Sequence, residues 1–157
     1  MDLQLNGKRA LVTGSTAGIG FAIAHILASE GASVIVNGRT SARVTSAVNE
    51  IKQKAPRAHV SGFAADLSSA AGIEKMLAHA PEVEILVNNL GVFEAKNFEN
   101  IMDPDWQRLW ETNVMSGVRL SRHYLPKMLA ANWGRIVFIS SESGVNIPLE
   151  MIHYGVT

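Results

Sequence analysis

Apolar residues gather along this chain in runs of strand length, at residues 10–13, 33–37, 59–64, 84–88 and 135–140, and a segment of helical length separates each run from the next. Between them the period changes from a continuous run to 3.6 residues. The first helical segment places Ile19, Ala22, Ile23, Ile26 and Leu27 on one predicted stripe, the second Val44, Ala47, Val48 and Ile51, and the third Ile73, Met76 and Leu77. A fourth, longer segment opens with Asp103 as a predicted N-cap and Pro104 in its first turn, and runs towards Ala131 with Pro126 as a predicted kink. Trp133-Gly134 then marks the return to a strand. Strands that alternate with helices need crossover connections, so the predicted class is α/β, a three-layer doubly wound parallel sheet in one domain spanning residues 1–157.

Composition narrows the function classes. Of 157 residues, 14 are Lys or Arg and 14 Asp or Glu, which leaves no net charge and no basic cluster of the kind that neutralises nucleic-acid phosphates. Cysteine is absent, and His25, His59, His79, His123 and His153 have no ligand-like spacing, so no metal site is expected. The segment from Met1 to Lys8 lacks the apolar core of a signal peptide, and no apolar run approaches the roughly 20 residues of a membrane span. The expectation is a cytoplasmic protein with neither nucleic-acid nor membrane partners.

Directly after the first strand stands Thr13-Gly14-Ser15-Thr16-Ala17-Gly18-Ile19-Gly20, which opens into the first helix. Glycine at 14 allows a sharp turn, at 18 it removes a side chain where backbone approaches a pyrophosphate, and at 20 it allows close packing of the helix. The helix N-terminus supplies free N–H groups and partial positive charge. Three residues separate the first two glycines, unlike the G-x-G-x-x-G spacing of the common dinucleotide loop.

This T-G-x-x-x-G-I-G loop resembles the cofactor loop of the short-chain dehydrogenase/reductase family, particularly members similar to 3-oxoacyl carrier-protein reductases, and later motifs follow in that family's order along the whole chain. The resemblance implies a Rossmann fold. It implies that Asp66-Leu67 contacts adenine, although Asp66 read alone serves equally as an N-cap, as Ser68 or Ser69 does. Asn88-Asn89-Leu90-Gly91 matches the family's Asn-Asn-Ala-Gly with leucine in place of alanine, and it puts Asn89 and Gly91 at the ribose side of the cofactor. Where NAD-selective members carry an acid after the second strand, this chain has Gly38 followed by Arg39. A guanidinium there suits a 2′-phosphate, with Ser15 and Thr16 close enough to assist, so NADP is favoured over NAD.

The same resemblance implies catalytic roles. Tyr154 matches the proton-donating tyrosine of Tyr-x-x-x-Lys, Ser141 the serine that fixes the substrate oxygen, and Asn113 the asparagine that distorts its helix and binds a water of the proton relay. Read from residue types alone, Ser140 or Ser141 is also a strand-end cap, Asn113 a partner for a backbone carbonyl, and Tyr154 packing. Asn113 is expected to be buried among Trp110, Val114 and Gly117. His153, adjacent to Tyr154, is read as a bystander because neighbours on a helix point about 100° apart. The lysine of the motif falls immediately after Thr157, so the catalytic set is incomplete within these residues and the sheet is expected to be incomplete at its C-terminal end, as part of a longer protein.

The function implied is interconversion of a carbonyl and an alcohol by an NADP(H)-dependent oxidoreductase acting on a small molecule, in a homodimer or homotetramer. Val92, Phe93, Val145, Ile147 and Met151 form an expected apolar approach for the substrate. The alternative is a nucleotide-binding sensor or scaffold without turnover.

Overall fold

The computed structural model of the chain describes residues 3–157; Met1 and Asp2, the start of the segment read above as lacking a signal peptide, lie outside the described residues. Five strands, β1 Arg9–Val12, β2 Ser33–Gly38, β3 Val60–Ala64, β4 Ile85–Asn88 and β5 Arg135–Phe138, form one parallel sheet in the order β3-β2-β1-β4-β5. Between them run α1 Gly18–Ser29, α2 Ser41–Lys54, α3 Ala70–His79, α4 Asp103–Leu109 and α5 Ser116–Ala130, and α6 Ile152–Gly155 follows β5.

Alternation along each strand divides the core in two. Ala10 and Val12 of β1 and Ile85 and Val87 of β4 face α1 and α2, while Leu11 and Leu86 face α3 and α5. Both sheet faces are therefore dry at the centre, which is why the strands read as continuous apolar runs. The chain leaves β1 in one direction and β4 in the other, so the crevice beyond their C-terminal ends is the topological switch point where α/β sheets bind ligands.

Helix α2 buries Val44, Ala47, Val48 and Ile51 as its spacing predicts, and α3 buries Ile73 and Met76. In α1 the predicted stripe is rotated. Gly20, Ala24 and Ala28 are its buried residues, while Ile19 and Ile26 are exposed and Phe21, Ile23 and Leu27 flank the contact. Small side chains let the helix axis approach the sheet closely, so the larger aliphatics fall to either side of the contact line.

The fourth segment is also not one uniform helix. Met102, not Asp103, is its N-cap, and Asp105 Oδ2 accepts from the Met102 N–H at 3.0 Å. A π-helical turn over Trp110–Met115 separates α4 from α5, and α5 continues through Pro126 without a break. Among the described residues no helix is long and apolar enough to cross a membrane.

Candidate active site

Two cavities lie beyond the C-terminal ends of the strands, and both are walled by Asn89, Leu90, Gly91 and Val92. The first, of about 350 Å³, takes in Gly14, Thr16, Arg39, Arg43 and Asp66. The second, of about 400 Å³, takes in Ile19, Asn113, Ser141 and Tyr154.

The loop between them is held by side chains that end strands. Thr13 Oγ1 accepts from the N–H groups of Asn89 and Leu90, each at 2.9 Å, and Asn89 Nδ2 donates to the carbonyls of Thr13 and Gly14 at 2.9 and 3.1 Å. The ends of β1 and β4 are thereby tied together. Gly14 and Gly18 both lie in the left-handed region, at φ +60° and +58°. A Cβ on Gly18 would meet nothing within 4 Å, so the space above it is open, and Ala17 before α1 offers no side-chain cap to the helix N–H groups. An uncapped helix N-terminus above an open glycine is the arrangement a phosphate fits. Gly14 packs directly against residue 90: a Cβ there would stand 3.2 Å from the Leu90 Cα and 3.5 Å from its Cδ1.

Ser15 departs from expectation. It is fully buried, its hydroxyl donating to the Val12 carbonyl at 2.6 Å and accepting from the Asn37 N–H at 3.0 Å, so it holds the loop and offers no side chain to a ligand. Thr16 alone of the pair lines the cavity. Leu67 reaches the cavity wall, but its side chain belongs to the core. Asp66 is exposed and accepts from the N–H and hydroxyl of Ser68, while Ser69 caps α3, so capping that helix does not occupy Asp66.

Sequence reasoning missed two residues here. Asn37, buried at the end of β2, accepts from Gly14 N–H and donates to the carbonyls of Phe63 and Ala65, which joins three strand ends. An asparagine within an apolar strand was the available signal, since burial of an amide demands partners. Arg43 joins Arg39 on the wall of the first cavity. It sits in the first turn of α2, where the helix dipole disfavours a cation unless an anion offsets it.

In the second cavity, Asn113 lies within the π-helical turn, consistent with the helix distortion expected at that position. It is half-buried and not fully buried as expected, Trp110 nearby is exposed, and its amide turns towards Val92 and Thr157. Its Oδ1 accepts from Val92 N–H at 2.8 Å and its Nδ2 donates to the Val92 carbonyl and to Thr157 Oγ1 at 2.9 and 2.8 Å. Both amide hydrogens are spent on the protein, leaving only an oxygen lone pair for a water. Ser141 caps the short turn Glu142–Gly144 by accepting from Ser143 N–H at 3.2 Å, which leaves its own O–H free to donate.

Tyr154 is half-buried on α6, with the Phe93 ring centroid 6.0 Å away. The apolar wall differs from expectation: Val92 and Phe93 belong to it together with Ile19, Phe138 and Ile139, whereas Val145, Ile147 and Met151 do not. Val145 stands in solvent and Ile147 packs on Gly155.

Charged pairs brace this end of the sheet. Lys96 Nζ meets Asp105 Oδ2 at 2.6 Å, and that ammonium holds the Asp105 carboxyl below its ordinary range. Glu94 pairs with Arg108.

Comparison with known proteins agrees with this geometry. The chain is 48% identical over 157 residues to the oxidoreductase YvaG of Bacillus subtilis (strain 168), covering 100% of this chain and 60% of that protein. It is 36% identical over 162 residues to the 3-oxoacyl-[acyl-carrier-protein] reductase FabG of Aquifex aeolicus (strain VF5), covering 100% and 64%. The crystal structure of L-sorbose reductase from Gluconobacter frateurii, complexed with NADPH and L-sorbose, superposes with a TM-score of 0.90 at 34% identity, covering 99% of this chain and 60% of that one. The chain thus spans about 60% of the length of these relatives. Residues 8–157 match the short chain dehydrogenase family. Because that match runs from β1 through the glycine loop to Tyr154, the chain belongs to the short chain dehydrogenase family.

Proposed function

We propose that the whole protein is an NADP(H)-dependent oxidoreductase that interconverts a carbonyl and an alcohol, and that residues 1–157 are its cofactor-binding portion and most of its reacting groups. The observation that carries this reading is that Asn113, Ser141 and Tyr154, distant in sequence, line one cavity, which shares the wall from Asn89 to Val92 with a cavity holding the glycine loop and two arginines.

A dinucleotide fits these residues as follows. Gly18 and the N-terminus of α1 would hold its pyrophosphate, Asp66 would take the adenine amino group, and Asn89 and Gly91 would border the ribose. Arg39 and Arg43, which line the first cavity, would pair with a 2′-phosphate. The bound cofactor supplies the hydride. Tyr154 donates its phenolic proton as the carbonyl oxygen becomes an alkoxide, and Ser141 O–H fixes that oxygen. Asn113 holds the segment at Val92 to the helix turn behind the site and, through Thr157, to α6. Ile19, Val92, Phe93, Phe138 and Ile139 give the approach an apolar character that favours a hydrophobic ketone or secondary alcohol. NADPH in the related L-sorbose reductase, and the naming of another relative as a 3-oxoacyl-[acyl-carrier-protein] reductase, support the same reading. We place the protein in the cytoplasm as a homodimer or homotetramer, paired through α4 and α5, near which Trp110, Leu125 and Leu129 stand exposed.

The test is turnover by the whole protein of ethyl acetoacetate, cyclohexanone and L-sorbose with NADPH and with NADH. Reduction of at least one probe, with NADPH preferred, is expected. No turnover of any probe with either cofactor, despite tight cofactor binding, would favour the sensor or scaffold reading.

A further inference from the structure

His153 is the one completely buried titratable side chain near the proposed site among the described residues, at 0% exposure, and neither of its ring nitrogens has a hydrogen-bond partner. Its Nε2 lies 4.0 Å from Glu94 Oε2, and the Trp106 ring meets it edge-on with centroids 6.0 Å apart. A hydrocarbon would fill this space without the cost of stripping water from an imidazole. The polar ring stands next to Tyr154 in the chain.

Its surroundings explain what it does there. Residues 91–97 leave β4 as an extended segment whose burial alternates: Val92, Glu94 and Lys96 are partly buried, while Gly91, Phe93, Ala95 and Asn97 are exposed. Each partly buried residue holds a different part of the site. Val92 bonds Asn113, Glu94 pairs with Arg108 and faces His153, and Lys96 meets Asp105 and donates its N–H to the Glu150 carbonyl just before α6. Helix α6 has four residues, too few for its own ladder to set its rotation. On one side Gly155 seats it on the turn that Ser141 caps, where a Cβ would stand 2.8 Å from the Ser143 carbonyl. On the other side only His153 of α6 is fully buried, towards Glu94 and Trp106. Because neighbours on a helix project about 100° apart, fixing His153 inward fixes the direction in which Tyr154 enters the cavity.

We propose that His153, docked against Glu94 and Trp106, is a positioning residue that sets the orientation of Tyr154 relative to Ser141. This inference rests on the proposed role of Tyr154 as proton donor. It contradicts the sequence-based expectation that His153 is a bystander.

The test uses the whole protein, NADPH and whichever of ethyl acetoacetate, cyclohexanone and L-sorbose it reduces fastest. His153→Leu lowers kcat about 10- to 100-fold, as a displacement of about an ångström at a reacting group does, while KM and NADPH affinity stay within about twofold. Glu94→Gln has a smaller effect of the same kind, and the double variant is no slower than His153→Leu alone. His153→Gln, whose amide keeps a polar N–H group on the side of Glu94, recovers kcat to within about fivefold of wild type. Wild-type kcat in His153→Leu overturns the inference. So does a parallel loss of kcat, NADPH affinity and melting temperature, or a double variant whose losses simply multiply. Should His153→Leu fail to fold, His153→Gln and Glu94→Gln decide: equal and independent losses in both overturn it. If Tyr154→Phe retains full turnover, the proton-donor reading itself fails; an inactive Tyr154→Phe beside a fully active His153→Leu removes only the role of His153.

Discussion

At Gly38 a Cβ would stand 2.5 Å from Thr16 Cγ2, so the side chain of the glycine loop already occupies the direction an acidic residue would take. A side chain at position 38 would require Thr16 to move, and with no carboxylate there Arg39 and Arg43 are left to meet whatever lies in the first cavity. Arg39→Ala should therefore weaken NADPH binding by about 1.5–3 kcal/mol, the range for a hydrogen bond to a charged group, and leave NADH nearly unchanged. Fluorescence titration with both cofactors measures this, and equal losses would show that Arg39 does not read the 2′-phosphate. Gly18→Val should abolish binding of either cofactor, because its side chain enters the open space over α1 while the φ of +58° strains it. Its circular dichroism should remain that of the folded protein; normal binding would show that the glycine loop does not hold the cofactor. The residues of this loop were legible because glycine spacing after a strand has few other uses. The inward turn of the Ser15 side chain and the place of Arg43 on the cavity wall are not legible in spacing, because the direction of a side chain in a loop, and its distance from one a turn away, are tertiary facts.

Elements were legible where burial follows period. The stripe of α2 and all five strands appear where the apolar pattern puts them, with ends shifted by a residue or two. The α1 stripe failed because hydrophobicity alone ranks isoleucine above alanine, whereas close helix-to-sheet approach selects the small residues Gly20, Ala24 and Ala28. The π-helical turn has no period of its own, and only the family resemblance pointed to Asn113. Helix α5 carries a testable consequence. Tyr124 is buried under it and donates to the Ala80 carbonyl at 2.7 Å, and burial pushes its phenol up to about 12. An unfolded tyrosine titrates near pH 10, so between about pH 10 and 12 the unfolded chain gives up a proton that the folded chain keeps. The stability that Tyr124 contributes is whole below about pH 10 and falls as pH rises, by up to about 2–3 kcal/mol. Urea midpoints of wild type and Tyr124→Phe should converge over that range. A constant separation between them would assign the alkaline loss to other groups.

Across the whole molecule, the sheet brings residues from positions 14 to 154 to one end, and the edge strand β5 carries exposed Val137 and Phe138, with Ile139 just beyond it. The architecture was legible because alternating strands and helices admit few topologies. The shape of the cavity was not, since Phe138 and Ile139 join its wall only through the register of β4 with β5, which pairs Asn88 with Phe138. On the proposed function, this end of the sheet holds a cofactor in one cavity and Tyr154 gives up a proton in the next. Steady-state ketone reduction by the whole protein and its Tyr154→Phe variant, beside NADPH titrations of both, separates the two roles. A phenol that gives its proton only as the alkoxide forms stabilises the transition state and not the cofactor complex, so kcat should fall by about 10²–10⁴ while NADPH affinity is unchanged. Ser141→Ala should act in the same direction and less severely. Wild-type turnover in Tyr154→Phe, or a loss of NADPH binding equal to the loss of rate, would show that Tyr154 is not the proton donor.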